Sequence, residues 1–257
     1  VSLFAGARTA VAMFTVVPVP ARWRSADGAA RSLGWLPLVG AALGALAGLP
    51  AAGLVARSHA SLPAAVLAVA VLALLTRGLH LDGLADTADG LGSNAPPARA
   101  LEIMRRSDIG PFGVITLVLV LVADIAAVAE LAARGTWHPL AALVVAAGTG
   151  RLAVCHACLP GLPPARPDGF GALVAGRMSP LGAMVLTAAT LGSGAGLAVA
   201  VGASAWQWPL AQGAGLALAV LLRAHTTRRL GGTTGDVFGA LVEIATAATL
   251  LGLVLAR

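Results

Sequence analysis

Apolar runs long enough to cross a bilayer recur near residues 33–56, 62–79, 111–133, 139–159, 180–202, 206–223 and 237–256. A hydrocarbon core of about 30 Å needs roughly 20 such residues per helix. The pattern predicts an all-α fold, a polytopic transmembrane helical bundle of about seven spans forming a single integral membrane domain over 1–257. Residues 1–17 are also mostly apolar, but Arg8 interrupts the run and no basic segment precedes it, unlike a secretory signal. We expect a short N-terminal membrane-associated helix there, ending before Pro18 and Pro20; the pattern leaves open whether it crosses the membrane. Within 33–56, Gly40, Gly44 and Gly48 repeat every fourth residue with Leu43, Leu46 and Leu49 among them, a series that lets helices approach closely in lipid.

Composition supports the membrane reading. The chain is 58% hydrophobic and 11% charged, whereas a soluble domain carries about 25% charged residues. No shift in composition marks a second domain. All 17 basic residues are Arg, a usage that points to GC-rich codons. With the loop around 18–32 placed in the cytoplasm, alternation puts Arg8, Arg22, Arg24, Arg31, Arg77, Arg99, Arg105, Arg106, Arg166, Arg177, Arg223, Arg228 and Arg229 on the cytoplasmic side, and only Arg57, Arg134 and Arg257 on the other. The net charge of +6 is therefore largely the positive-inside bias. There is no soluble domain, basic helix or aromatic platform to bind nucleic acid. Cys155 and Cys158 form a CxxC pair around His156, but no second ligand pair exists, so they read as small buried residues.

The acids are few and grouped. Long connections, about 77–110, 160–179 and 224–236, fall on the cytoplasmic side with most of them, including Asp27 and Asp168, and loops of that length usually carry function. Asp124 and Glu130 lie toward the other half. Asp82, Asp86 and Asp89 are spaced i, i+4, i+7, within roughly 60° on one helix face. Three carboxylates there repel unless a cation sits among them, and Mg²⁺ takes carboxylate and substrate phosphate oxygens. A metal-assisted phosphoryl-transfer site is the reading that follows. His80, two residues before Asp82, points away from that face and reads as a proton carrier, a support for the ligands or a structural residue.

In the stretch from Arg99 to Gly113, Glu102 is placed to pair with Arg105 or Arg106. Pro111 suits the first turn of a helix, whose N–H groups could face a phosphate. Arg105 and Arg106 could clamp a diphosphate or simply follow the topology. Further on, Gly231, Gly232 and Gly235 precede Asp236 and Glu243, which share a face with Gly239 and Ala240 between them. A carboxylate inside a span is costly and usually functional. Arg151, within the fourth span, needs a partner for the same reason; an acid or a substrate phosphate near the site is preferred over Asp124, about 9 Å deeper by helix rise.

These motifs resemble a known family. The stretches from Leu79 to Leu91 (LHLDGLADTADGL), Arg99 to Arg105 (RALEIMR), Ile109 to Val114, Phe14 to Pro20, Pro37 to Gly40, Ala165 to Gly171 (ARPDGFG) and Gly231 to Ala240 (GGTTGDVFGA) are similar to cobalamin synthases, the adenosylcobinamide-GDP ribazoletransferases. The resemblance implies the last step of adenosylcobalamin assembly at the bacterial cytoplasmic (inner) membrane, Mg²⁺-dependent. Adenosylcobinamide-GDP and α-ribazole, or its 5′-phosphate, would give the cobalamin, or its 5′-phosphate, and GMP. It implies that Asp82, Asp86 and Asp89 hold Mg²⁺; that Asp89, Asp236 or His80 takes the acceptor's proton; that Arg105, Arg106 and Arg166 hold phosphates; and that Asp236 and Glu243 complete the metal site or bind ribazole, with Arg151 counted among the substrate-binding residues. The alternatives are another membrane phosphotransferase of the CDP-alcohol type, or a secondary transporter using Asp124, Arg151 and Glu243 as an ion path. The acids cluster at one face and no inverted repeat is seen. The Gly-rich helices are compatible with a homo-oligomer in the lipid bilayer.

Overall fold

A computed structural model describes residues 4–18, 20 and 26–256. Arg22, Arg24 and Arg257 of the charge argument, Val19 of the Phe14–Pro20 motif and the side chain of Asp27 lie outside the described residues. Twelve α-helices are described: α1 (Phe4–Phe14), α2 (Ala26–Ser32), α3 (Leu36–Ser58), α4 (Ser61–Leu75), α5 (Leu79–Gly92), α6 (Pro97–Ile103), α7 (Pro111–Arg134), α8 (His138–Ala157), α9 (Gly169–Val174), α10 (Pro180–Ala200), α11 (Gln207–Leu230) and α12 (Gly235–Leu255). Among the described residues the extended structure is one parallel bridge, Pro164 to Thr233, so the fold is all-α as expected.

Five helical stretches are long and apolar enough to cross a membrane: Gly28–Ser58, Pro111–Arg134, His138–Ala157, Pro180–Ala200 and Gly235–Leu255. A sixth arises if α4 and α5 count together. The expected count of about seven included 206–223; α11 covers it with 24 residues, but Gln212, Arg223 and its more polar end leave it outside that group. The expected run 62–79 also departs from a straight span. It stops at Leu75, and α5 leaves at 88° to α4. The turn uses left-handed backbone at Arg77 (φ 55°) and Gly78 (φ 67°), a conformation that Gly adopts without strain. The break has a physical cause: carboxylates continuing along the span would enter hydrocarbon, where the cost of ionised groups is high.

α8 is the hub, buried along nearly its whole length against α3, α11 and α12. The α3–α8 seam is built on the glycine series seen in the sequence. A Cβ on Gly40 or Gly44 would run into the carbonyls of Ala147 and Leu143, and one on Gly48 would sit 2.6 Å from Leu140 Cα. Leu43 is buried, while Leu38, Leu46 and Leu49 are more than half exposed on the outer face of α3. Deeper in the bundle, buried Gln212 donates from Nε2 to Thr149 Oγ1 (3.1 Å) and to the Thr190 carbonyl (3.0 Å), tying α11 to α8 and α10. Cys155 and Cys158 are buried free thiols; Cys155 Sγ donates to the Leu33 carbonyl at 3.2 Å.

The long connections gather at one end of the bundle. Ala165 N donates to Thr233 O (2.9 Å) and Thr233 N to Pro163 O (3.1 Å), so the 160–168 and 231–234 loops are joined. Arg229 Nη2 donates to Asn94 Oδ1 (3.2 Å), fixing the end of α11 to the α5–α6 turn. At the opposite end Arg134 donates to the Ala256 carbonyl (2.6 Å) and to those of Leu253 and Val254, satisfying carbonyls left open at a helix C-terminus.

The glycine seam gives a direct test. Gly44→Val should cost about 1–3 kcal/mol by overpacking and lower the melting temperature in detergent, whereas Leu46→Val on the outer face should leave it near native. Equal melting of the two variants would contradict the seam.

Candidate active site

α5 is set across the ends of two spanning helices rather than within the membrane bundle. Gly83 lets it touch the first turn of α12: a Cβ there would lie 2.6 Å from the Asp236 carbonyl. Gly239 of α12 reciprocates, with its would-be Cβ 3.0 Å from the His80 carbonyl. At the far end of α5, Asp89 reaches the start of α7. Its Oδ2 accepts from Gly110 N (2.7 Å) and its Oδ1 from Gly113 N (2.9 Å).

That contact bears on two expectations. Asp89 is 8% exposed with both oxygens accepting backbone N–H groups, so it caps α7. The N–H groups at the start of α7, expected to face a phosphate, are the ones that Asp89 takes. Among the described residues no group of three Asp, Glu, His or Cys side chains converges tightly enough to hold a metal ion. The expected triad of Asp82, Asp86 and Asp89 is therefore not assembled as a three-ligand cage.

The other two acids open onto a cavity of about 820 Å³ whose lining includes Arg77, Asp82, Asp86, Arg105, Arg106, Ser107 and Asp108. Asp86 is half-buried, and its carboxyl is pushed up to about 7, first by burial and then by the charges of Asp82, Asp236 and Asp89, with Arg166 opposing. Asp236 stands beside them in the first turn of α12. Thr234 Oγ1 caps that helix by accepting from Val237 N (3.2 Å), the arrangement expected of an N-cap Thr. Thr234 Oγ1 also donates to Asp236 Oδ2 (3.2 Å), which accepts from Arg166 Nη1 as well (3.4 Å). Arg166 Nη2 donates to the Leu101 carbonyl (2.7 Å). Three carboxylates and several guanidiniums thus meet at one water-accessible end of an otherwise apolar bundle, an arrangement suited to a polyanionic substrate and a cation.

Comparison with known proteins agrees with the motifs. Residues 6–254 match the family model for cobalamin-5-phosphate synthase, CobS. The chain belongs to the CobS family. Proteins named adenosylcobinamide-GDP ribazoletransferase are similar to it over 95% of its length: one from Frankia casuarinae is 43% identical, with 92% of that protein covered. Those from a Nocardioides species and Klebsiella pneumoniae are 40% and 39% identical, with 96% and 97% covered. No solved structure matches. This is an enzyme family, and the secondary-transporter reading gives way to it.

Several expected site residues of this CobS chain lie off the main cavity. His80 is 2% exposed, stacked on Phe14 with ring centroids 6.0 Å apart, and its Nδ1 is 3.5 Å from Arg151 Nη2. On the buried face of α5, it is not placed to move an acceptor's proton. Arg151, 2% exposed, and Glu243 line a separate small cavity with Asp124, so neither is positioned to hold substrate in the main one. Glu102 pairs with Arg99 (2.7 Å) instead of Arg105 or Arg106, because Arg105 turns to Asp168 (3.1 Å). Arg77 and Asp108 also line the cavity, and neither stands out in the sequence as a site residue; for Arg77 the available signal is the Arg-Gly pair ahead of the acidic motif.

Asp89→Ala should leave the Gly110 and Gly113 N–H groups unpaired, lose about 1–3 kcal/mol and lower the melting temperature. Asp82→Ala, at an exposed position, should melt near the native temperature or slightly above it, since it relieves repulsion. Native melting of Asp89→Ala would remove its capping role.

Proposed function

We propose that this chain is a ribazoletransferase that joins α-ribazole, or its 5′-phosphate, to adenosylcobinamide-GDP and releases GMP. The observation that carries the reading is the meeting of Asp82 and Asp86 with Arg77, Arg105 and Arg106 in one cavity at the end of a membrane bundle, in a chain of the CobS family. The end bearing the cavity also holds Arg99, Arg166, Arg177, Arg228 and Arg229, while Arg57 and Arg134 lie at the other. By the positive-inside bias the cavity faces the cytoplasm, and the protein resides in the inner membrane.

Arg105 and Arg106 hold the diphosphate, their planar donor forks matching phosphate oxygens. Arg166 holds Asp236 by an ion pair and leaves its Oδ1 without a hydrogen bond among the described residues. The acceptor hydroxyl attacks the phosphorus nearest the cobinamide; a P–O bond forms to the ribazole oxygen and the bond to the GMP phosphate oxygen breaks. Asp236 takes the hydroxyl proton, a task for a positioned base. His80 and Asp89, the other candidates, are committed to packing and capping.

The residues also fit a Mg²⁺ ion. Mg²⁺ is usually held by one or two carboxylates together with substrate phosphates rather than by an all-protein cage. Two acids at the cavity, with a third alongside and burial and mutual repulsion raising Asp86, match that donor set. Asp82 and Asp86 would hold the ion, and when bound it would neutralise charge on the transferred phosphoryl group.

Purified protein in nanodiscs should form GMP only with both substrates and Mg²⁺, and not with EDTA. Asp82→Ala and Asp86→Ala should each lose at least about 100-fold, the scale of a lost electrostatic stabiliser. As pH falls through 7, Asp86 gains its proton and ceases to compete for metal, so half-saturating Mg²⁺ should rise several-fold between pH 7.5 and 6. Full activity of Asp86→Ala, or a metal requirement that does not change with pH, would overturn the ligand assignment. For orientation, a reporter fused after Arg57 should read as extracytoplasmic and one at Gly231 as cytoplasmic; the reverse would turn the cavity outward.

A further inference from the structure

A second cavity adjoins the main one at the turn between α6 and α7. It measures about 310 Å³, and Asp89, Ser93, Arg106, Asp108, Pro111 and Phe112 are among its lining residues. Arg106 and Asp108 line both cavities, so the turn that carries them is a shared wall. The reaction proposed above places the diphosphate on Arg105 and Arg106 and leaves the second cavity without an occupant.

Two of its side chains are open to a ligand. Asp89 spends both oxygens on the start of α7, but Asp108 is exposed, and the ion pairs among the described residues pass it by. A free carboxylate beside phosphate-binding arginines repels a diphosphate. Its place there is useful only if it meets a part of the ligand that offers donors, since a carboxylate is an acceptor alone. Phe112, near the start of α7, is 48% exposed. Gly92 lies against one face of its ring: a Cβ there would press on Cγ, Cδ1 and Cδ2 together. The ring is thus backed by the end of α5, with its other face open to a flat partner.

We propose that this second cavity takes the guanine of the nucleotide half of the substrate, with Asp108 accepting from N1–H and the 2-amino group and Phe112 stacking on the base. The inference rests on the transferase reading and adds to it the residues that select the nucleotide. An aromatic face alone is tolerant, because every base has a π-face; the carboxylate makes the choice. Guanine presents two adjacent donors that match two carboxylate oxygens. Adenine offers a lone pair at N1, which a carboxylate repels. The other aromatic group in the reaction, the benzimidazole of α-ribazole, carries no N–H once it is joined to ribose, so Asp108 would have nothing to accept from it. With the base there, Arg106 on the shared wall meets the phosphate of the departing GMP.

The test measures binding of GMP, IMP, AMP and ribose 5-phosphate, each with Mg²⁺, to full-length protein in nanodiscs. GMP should bind at least about tenfold more tightly than ribose 5-phosphate, the scale of one stacked base. IMP, which lacks the 2-amino group, should bind about tenfold more weakly than GMP, and AMP about 100-fold, as expected for lost bonds to a charged acceptor. Asp108→Ala should bring the three nucleotides within about threefold of one another by removing those bonds. Phe112→Leu keeps an apolar side chain on Gly92. It should weaken all three nucleotides about fivefold and leave ribose 5-phosphate and the melting temperature near native. A native GMP-to-AMP ratio in Asp108→Ala would overturn the inference, as would an effect confined to the Mg²⁺ requirement, which would make Asp108 a metal ligand. Native nucleotide affinities in Phe112→Leu would overturn the stack. GMP binding no tighter than ribose 5-phosphate would overturn the base pocket and leave the transferase reading standing, with the phosphate still held by the arginines. Binding of neither by folded protein, with no GMP formed in turnover, would sink the transferase reading and the base pocket with it.

Discussion

Two hydrogen bonds accepted by one carboxylate join the helix that bears the cavity acids to the membrane span beside it. Asp89 binds the Gly110 and Gly113 amides, and through them α5 is fixed to α7 while Gly83 and Gly239 press its other half against α12. The constraint behind this is the solvent. A helix with three carboxylates cannot continue into hydrocarbon, so it must turn, lie across the bundle and be held there by contacts of its own. The break at Arg77 and Gly78, the small residues where α5 meets α12 and the cap on α7 are parts of one solution.

That placement organises the charges. Asp82 and Asp86 face the cavity with guanidiniums from two separate segments, Arg77 before α5 and Arg105 and Arg106 after α6, while Arg166, from the loop bridged to residue 233, stands beside it on Asp236. Repulsion among the acids is retained instead of being cancelled by close ion pairs: Asp236 alone is bonded to Arg166, and Arg105 spends its contact on Asp168. An exposed ion pair of that sort contributes little stability. Acids and guanidiniums thus line the cavity without closing on one another as ion pairs among the described residues, as befits a surface that must accept phosphates and a cation.

Much of this was legible in the sequence. Apolar runs, arginine asymmetry and the Gly40, Gly44, Gly48 series each follow from the lipid as solvent, and each has its counterpart in the bundle. The acidic motif and its companions led to the right family. What the sequence could not show was what stands opposite each side chain. Asp89 shares a helical face with Asp82 and Asp86, yet about 60° of spread and two turns of length bring it against a different neighbour. The same limit hid the Arg105–Asp168 pair, 63 residues apart, behind the nearer Glu102. Arg151 and Glu243 were read as belonging to the site because intramembrane charges usually do; packing places them beneath it. The 88° bend was invisible to hydropathy, since Leu79 and Leu81 extend the apolar run past the turn.

The seam between α3 and α8 bears on how this chain can diverge. At Gly40 and Gly44 even a methyl group meets a backbone carbonyl, which has no rotamer to yield. Those codons are closed to drift, for no neighbouring change can make room short of moving two helices apart. On the opposite side of the same helix, Leu38, Leu46 and Leu49 are more than half exposed, and any residue of similar apolarity serves. Lineages descending from this protein should therefore keep a record of ancestry on one stripe of α3 and lose it on the other, within a single stretch of 23 residues.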